Sequence, residues 1–235
     1  MDLFRNKRIM IVAAHPDDEL LGLGASMHKL IKEEGIKTHV VILGEGITSR
    51  SDVRNVDDWK EELEKHHQNM YSAASIIGYQ SVKSYNFSDN RFDSHALLDI
   101  VKVIENEKEI FQPEIIFTHH GGDLNIDHQI TFQAVMTATR PMQGECVKTV
   151  ITFETPSATE WQASSDPRHF SPNMFIEVSE DDLQAKINAM SSYQFEVREF
   201  PHPRSSKALQ IMAQYRGYMV GKQLAEAFQI VRFIK

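Results

Sequence analysis

The run Ile9-Met10-Ile11-Val12-Ala13-Ala14 constrains this chain more than any other feature. It is short, β-branched at several positions and bounded by polar residues, so it reads as a strand with apolar side chains on both faces. Such a strand has to be covered above and below, which requires a sheet between two layers of helix. Arg5, Lys7 and Arg8 before it imitate the start of a signal peptide. The string that follows, His15-Pro16-Asp17-Asp18-Glu19, does not fit an apolar targeting segment or a membrane span.

The rest of the chain repeats the pattern. Leu20, Leu23, Met27, Leu30 and Ile31 recur at helical spacing, with Gly35 as the stop. Thr38 to Leu43 reads as a second strand, and Trp59, Leu63, His66, Met70, Ala73 and Ile77 mark an amphipathic helix ending near Gly78. A strand around Val82 to Tyr85, a helix across Ala96 to Glu109 and the strand Glu114 to Thr118 continue the alternation. A helix from about Asp127 to Thr139 and the strand Val147 to Phe153 follow. Alternation of this kind predicts an α/β fold with a mostly parallel sheet between helical layers. Thr155 to Pro172, with three prolines, reads as a long loop, and loops of that length tend to be functional. Asn173 to Val178 reads as an outer strand. Ser179 caps a helix through about Gln194 with Asp182 at the capping-box position, and a last helix begins near Ser205. The chain is expected to form one domain, residues 1–235.

Composition narrows the function classes. With 25 Lys and Arg against 33 Asp and Glu, the net charge is −8, and no basic run offers a path for a nucleic-acid backbone. The single cysteine, Cys146, can form neither an internal disulfide nor a Cys-rich zinc site. A cytoplasmic protein without a membrane span is therefore expected; its oligomeric state stays open.

Two polar clusters carry the chemistry. His15, Asp17 and Asp18 directly follow the first buried strand, where parallel strands open into a ligand crevice. The second, Thr118 to His128, follows the strand Glu114 to Thr118 and holds His119, His120, Asp123, Asn125, Asp127 and His128. Two imidazoles and one carboxylate supply three ligands to a divalent ion and leave a position open, as in catalytic zinc sites. His15, Asp18 and His128 are the expected ligands. Asp17, beside a ligand but free of the ion, suits a general base. Taken singly, these residues read equally well as turn and cap residues.

At these residues the sequence resembles the zinc-dependent N-deacetylases called PIG-L or LmbE-like. The resemblance runs along essentially the whole chain and rests on Ala14 to Glu19, Gly22 and Gly24, Gly44-Glu45-Gly46, and Gly122 to Gln129. It implies a Rossmann-like fold with the metal at the C-terminal strand ends, and removal of acetyl from a small N-acetylated amino-sugar substrate or its conjugate. It also implies zinc on His15, Asp18 and His128, with iron or cobalt as alternatives, and Asp17 as base. Many members carry His three residues before the last ligand, whereas this chain has Asn125. An amide can donate to an oxyanion but cannot titrate, so the proton for the leaving amine is expected from Asp17, His119 or His120. Asp127 is expected beside the chemistry, catalytic or supporting a ligand.

Arg50, His120, His202 and Arg204 are the candidate substrate contacts, Arg50 by its resemblance to a family position near the sugar. Each has an ordinary loop-residue reading beside the functional one. His66 and His67 read as structural or surface residues. Two rival functions remain. A non-catalytic sugar- or nucleotide-binding module could use the same scaffold, and an iron-dependent oxygenase could use the same ligand set, though usually on a β-rich barrel.

Overall fold

The computed structural model describes residues 3–235. Strand β1 (Arg8–Ala13) leads into a short helix α1 (Asp18–Leu21) and then α2 (Gly24–Glu34). They are followed by β2 (Lys37–Gly44), α3 (Lys60–Ile77), β3 (Ser81–Phe87), α4 (Leu97–Phe111), β4 (Ile115–His119), α5 (Ile126–Ala138) and β5 (Thr149–Phe153). The chain ends with β6 (Met174–Glu177), α6 (Glu180–Ser192), α7 (Ser206–Tyr218) and β7 (Ala225–Phe233). The seven strands form one sheet in the order β3-β2-β1-β4-β5-β7-β6. The first five strands run parallel, and β7 lies antiparallel between β5 and β6.

Strand β1 is covered on both faces, as its composition requires. Ile9, Ile11 and Ala13 enter one core with Leu30 of α2, Met70 of α3 and Leu183 of α6. Met10, Val12 and the following Ala14 enter the opposite core with Ile104 of α4 and Val135 of α5. The side-chain period of two along a strand produces this division. The strand order reverses at β1, whose neighbours are β2 and β4. The crevice outside the carboxyl ends of such a pair is where open α/β sheets bind ligands, and both polar clusters lie there.

Two expectations are corrected. The helical period from Leu20 to Ile31 does not form one helix, because the chain breaks at Gly22 and Leu23. A Cβ on Gly22 would lie 2.2 Å from the Phe153 ring, so the backbone meets β5 at a distance that only glycine permits. The chain after Ser205 also contains a strand, β7, beyond the expected last helix. None of the described helices is long and apolar enough to cross a membrane.

Candidate metal centre

His15 follows β1, Asp18 opens α1, and His128 sits in the first turn of α5. Their ligand atoms all lie within 4.8 Å of one another. His15 Nδ1 is 3.4 Å and His128 Nε2 3.3 Å from Asp18 Oδ2. Donors held about 2.0 to 2.1 Å from one tetrahedral ion lie about 3.3 to 3.4 Å apart, so the spacing fits a divalent cation. Asp18 Oδ1 is buried without a hydrogen-bond partner, an arrangement that is costly unless something positive satisfies it.

Each imidazole is held from behind by a carboxylate. His15 Nε2 donates to Asp127 Oδ2 at 2.9 Å, and His128 Nδ1 lies 3.2 Å from Asp123 Oδ1. The first contact fixes the tautomer that turns His15 Nδ1 toward Asp18, and the two carboxylates raise the basicity of both rings. Asp127 Oδ1 accepts the Phe92 N–H at 2.9 Å. Asp123 accepts the Asn125 N–H at 2.9 Å and the Thr159 hydroxyl at 2.6 Å. Burial opposes charge on His128, yet Asp18 and Asp123 raise its pKa to about 9. Burial likewise opposes charge on His15, while Asp127 and Asp18 hold it well above the usual imidazole value.

Asp17 is the N-cap of α1 with φ 105°, in the left-handed region that non-glycine residues rarely enter. It is buried, and its Oδ2 has no hydrogen-bond partner, although Arg204 Nη1 is 3.2 Å away. Burial pushes its carboxyl well above the usual carboxylate range, against the pull of Arg204. Asn125 Oδ1 accepts the Asp127 N–H at 2.8 Å and caps α5, while Nδ2 donates to Asn90 Oδ1 at 3.0 Å. The second Nδ2 hydrogen remains available.

His15, Asp17 and Asn125 face a polar cavity of about 220 Å³ that Arg50 and Arg204 also line. Other expected residues lie elsewhere. Asp127 is fully buried with both oxygens occupied, so it orients His15 and cannot touch a substrate. His119 Nε2 accepts the Ala14 N–H at 2.9 Å, its Nδ1 faces Thr155 Oγ1, and burial lowers its pKa to about 4. A ring so engaged delivers no proton. His120 Nε2 donates to the Arg168 carbonyl at 2.6 Å, and His202 accepts the Arg204 N–H and packs against Trp161; neither lines the cavity.

Sequence reasoning missed several cavity residues. Glu196, buried in the loop after α6, accepts Arg50 Nη2 at 2.6 Å and also Arg204 Nη1. His66 of α3 lines the cavity with both ring nitrogens unpartnered, and burial holds its pKa near about 4. Asp89 and Asn90 enter from the loop after β3. Nothing in their local sequence marks them, because distant loops converge only in the fold. A larger, mainly apolar cavity of about 850 Å³ lies along α7, lined by Phe170, Ile211, Met212 and Tyr215, and contains none of the three ligands.

An α/β sheet with a largely buried His-Asp-His cluster at its switch point, spaced so that it could hold a divalent cation, defines the class of fold. Residues 10–139 match the family profile described as PIG-L, GlcNAc-PI de-N-acetylase, and the chain belongs to that family of deacetylases. It is 29% identical over 196 residues to the uncharacterized deacetylase YaiS of Escherichia coli K12, covering 80% of this chain and 91% of that protein. Diacetylchitobiose deacetylase of Thermococcus kodakarensis is 24% identical over 233 residues, covering 96% and 83%. The crystal structure of GalB, the 4-carboxy-2-hydroxymuconate hydratase of Pseudomonas putida KT2440, superposes with a TM-score of 0.72 at 19% identity, covering 97% of each chain.

Proposed function

We propose that this protein hydrolyses the acetamide of an N-acetylated amino sugar or its conjugate, using a divalent cation held by His15, Asp18 and His128, with zinc preferred over iron or cobalt. The observation that carries this reading is the clustering of the three donors within 4.8 Å of one another, each imidazole nitrogen 3.3 to 3.4 Å from Asp18 Oδ2, beside the unpartnered Asp17 oxygen. Two imidazoles and one carboxylate match the ligand chemistry of catalytic zinc. A bound ion would supply Lewis acidity, bringing the pKa of water toward about 7 and polarising the amide carbonyl.

The protein's own groups account for the remaining chemistry. Asp17 accepts the proton of the attacking water and, once protonated, returns it to the leaving amine. Asn125 donates its free Nδ2 hydrogen to the developing oxyanion. Arg50 and Arg204, held by Glu196, present guanidinium groups to sugar hydroxyls. The cavity of about 220 Å³ is below the roughly 300 Å³ at which drug-sized sites begin, which suits one sugar ring. The names of the family and of the Thermococcus relative supply the substrate class.

The same fold carries a hydratase, so the decisive measurement is the product. Mass spectrometry of the metal-loaded protein with N-acetylglucosamine, diacetylchitobiose and further N-acetylated glycosides should show loss of acetyl with one acetate released per turnover. No acetate from any of them, while a non-acetylated alkene substrate is hydrated, would overturn the reading.

Asn125→Ala should lower turnover roughly 10 to 1000-fold with little change in substrate binding. It should also cost about 1 kcal/mol of stability, because the N-cap of α5 is lost. Asn125→His should add a limb near about pH 6 to 7 to the rate profile if position 125 reaches the leaving amine. Full activity in the first variant and an unchanged profile in the second would remove Asn125 from the chemistry.

A further inference from the structure

Asp17 occupies a backbone conformation that costs on the order of 1 to 3 kcal/mol for a residue with a side chain, so surrounding groups must hold it there. Its carbonyl is secured by the N–H groups of Leu20 and Leu21, each at 2.9 Å. Its own N–H points the other way, and Glu19 Oε2 accepts it at 3.0 Å. Glu19 is buried, and its second oxygen accepts the Tyr193 hydroxyl at 2.7 Å. The Glu19 carbonyl accepts the Tyr79 hydroxyl at 2.9 Å. Tyr193 is fully buried and ends α6, three residues before Glu196, which holds Arg204 beside Asp17.

A carboxylate in this place is hard to explain as packing. A buried charge is expensive, and an apolar residue of similar volume would fill the space more cheaply. What Glu19 adds is an acceptor for the one amide whose orientation decides where the Asp17 carboxyl points. What Tyr193 adds is a donor that fixes the Glu19 carboxyl and ties it to the segment carrying Glu196 and Arg204.

We propose that Glu19 and Tyr193 are positioning residues for Asp17: together they clamp the left-handed peptide and keep its carboxyl aimed into the cavity. This rests on the reading of Asp17 as the base. Without the clamp, Asp17 relaxes toward negative φ and its carboxyl leaves the line of attack, whereas Asp127 holds the His15 ring and Asp18 is held separately, its Oδ2 accepting the His15 backbone N–H at 2.8 Å.

The test compares Glu19→Ala, Glu19→Gln and Tyr193→Phe with Asp17→Asn in the metal-loaded protein, using an N-acetylated substrate that the wild type turns over. Glu19→Ala should lower kcat roughly 100-fold with KM within about threefold and metal near one per chain. Glu19→Gln keeps an amide oxygen for the Asp17 N–H and should restore kcat to within about fivefold of wild type. Tyr193→Phe, which removes one hydroxyl from an otherwise preserved core, should lower kcat about tenfold and remains informative if Glu19→Ala does not fold. A fall in kcat without rescue by Gln, a loss confined to KM, or loss of metal from these variants would overturn the clamp. Wild-type turnover in Asp17→Asn would instead overturn the base assignment beneath it.

Discussion

His128→Ala should abolish hydrolysis and empty the cation site while the chain stays folded. The substitution leaves an ion with His15 and Asp18 as its two protein donors, one short of the set that holds catalytic zinc. Bound metal, measured by elemental analysis, should fall from about one per chain to well below one tenth, and turnover should fall by roughly 1000-fold or more. The fold should survive because His128 sits in the first turn of α5 at the end of the sheet, outside both apolar cores. The Asp123 carboxylate keeps the Thr159 hydroxyl and the Asn125 N–H after the ring is removed, so the variant should lose about 1 to 3 kcal/mol. The pH dependence of loading gives a second readout. The His128 pKa is raised to about 9, so below that pH an entering ion must displace a proton, and affinity should fall about tenfold per pH unit per proton displaced. Full metal occupancy in His128→Ala would refute the ligand assignment.

The parts of this fold that were legible in the sequence are those governed by local pattern. The apolar run Ile9 to Ala14 required two covered faces, and the structure supplies one core for each. The proposed ligands stood out because they fall in polar clusters that follow buried strands, where a concentration of His and Asp has few structural uses. Strand β7 was hidden because its partners, β5 and β6, are distant in sequence, and one buried position holds Glu226. That carboxylate reads as surface, yet it accepts Lys186 Nζ and the Ser26 N–H inside the fold. The helix break at Gly22 depends on the Phe153 ring, 131 positions further along the chain. Glu196, Asp89 and His66 were illegible for a similar reason: each stands among residues that explain it locally, and only the meeting of segments distant in sequence gives it a cavity to face. The loop Thr155 to Pro172 was expected to be functional without a stated role. Beside the proposed site it supplies two hydroxyls, Thr155 on His119 and Thr159 on Asp123, and the Arg168 carbonyl that accepts His120.

Asp17→Asn separates the base from the ligands, and the structure indicates why it should do so cleanly. The change is nearly isosteric, and the Asp17 backbone is held by Glu19, Leu20 and Leu21 rather than by its own side chain. Arg204 retains the Glu196 carboxylate, so no cation is stranded when the Asp17 charge is lost. Metal content should therefore remain near one per chain, while turnover falls roughly 100-fold or more, the scale of lost general-base catalysis. The rate profile supplies the sign. Burial raises the Asp17 pKa, and the active form is the carboxylate, so wild-type turnover should decline as pH drops through that raised value. In Asp17→Asn this acid limb should vanish and leave a low rate that changes less with pH. If the variant loses its metal instead, Asp17 is a fourth ligand, and the proton acceptor must be sought among Asp89 and Glu196, the other carboxylates on the cavity wall.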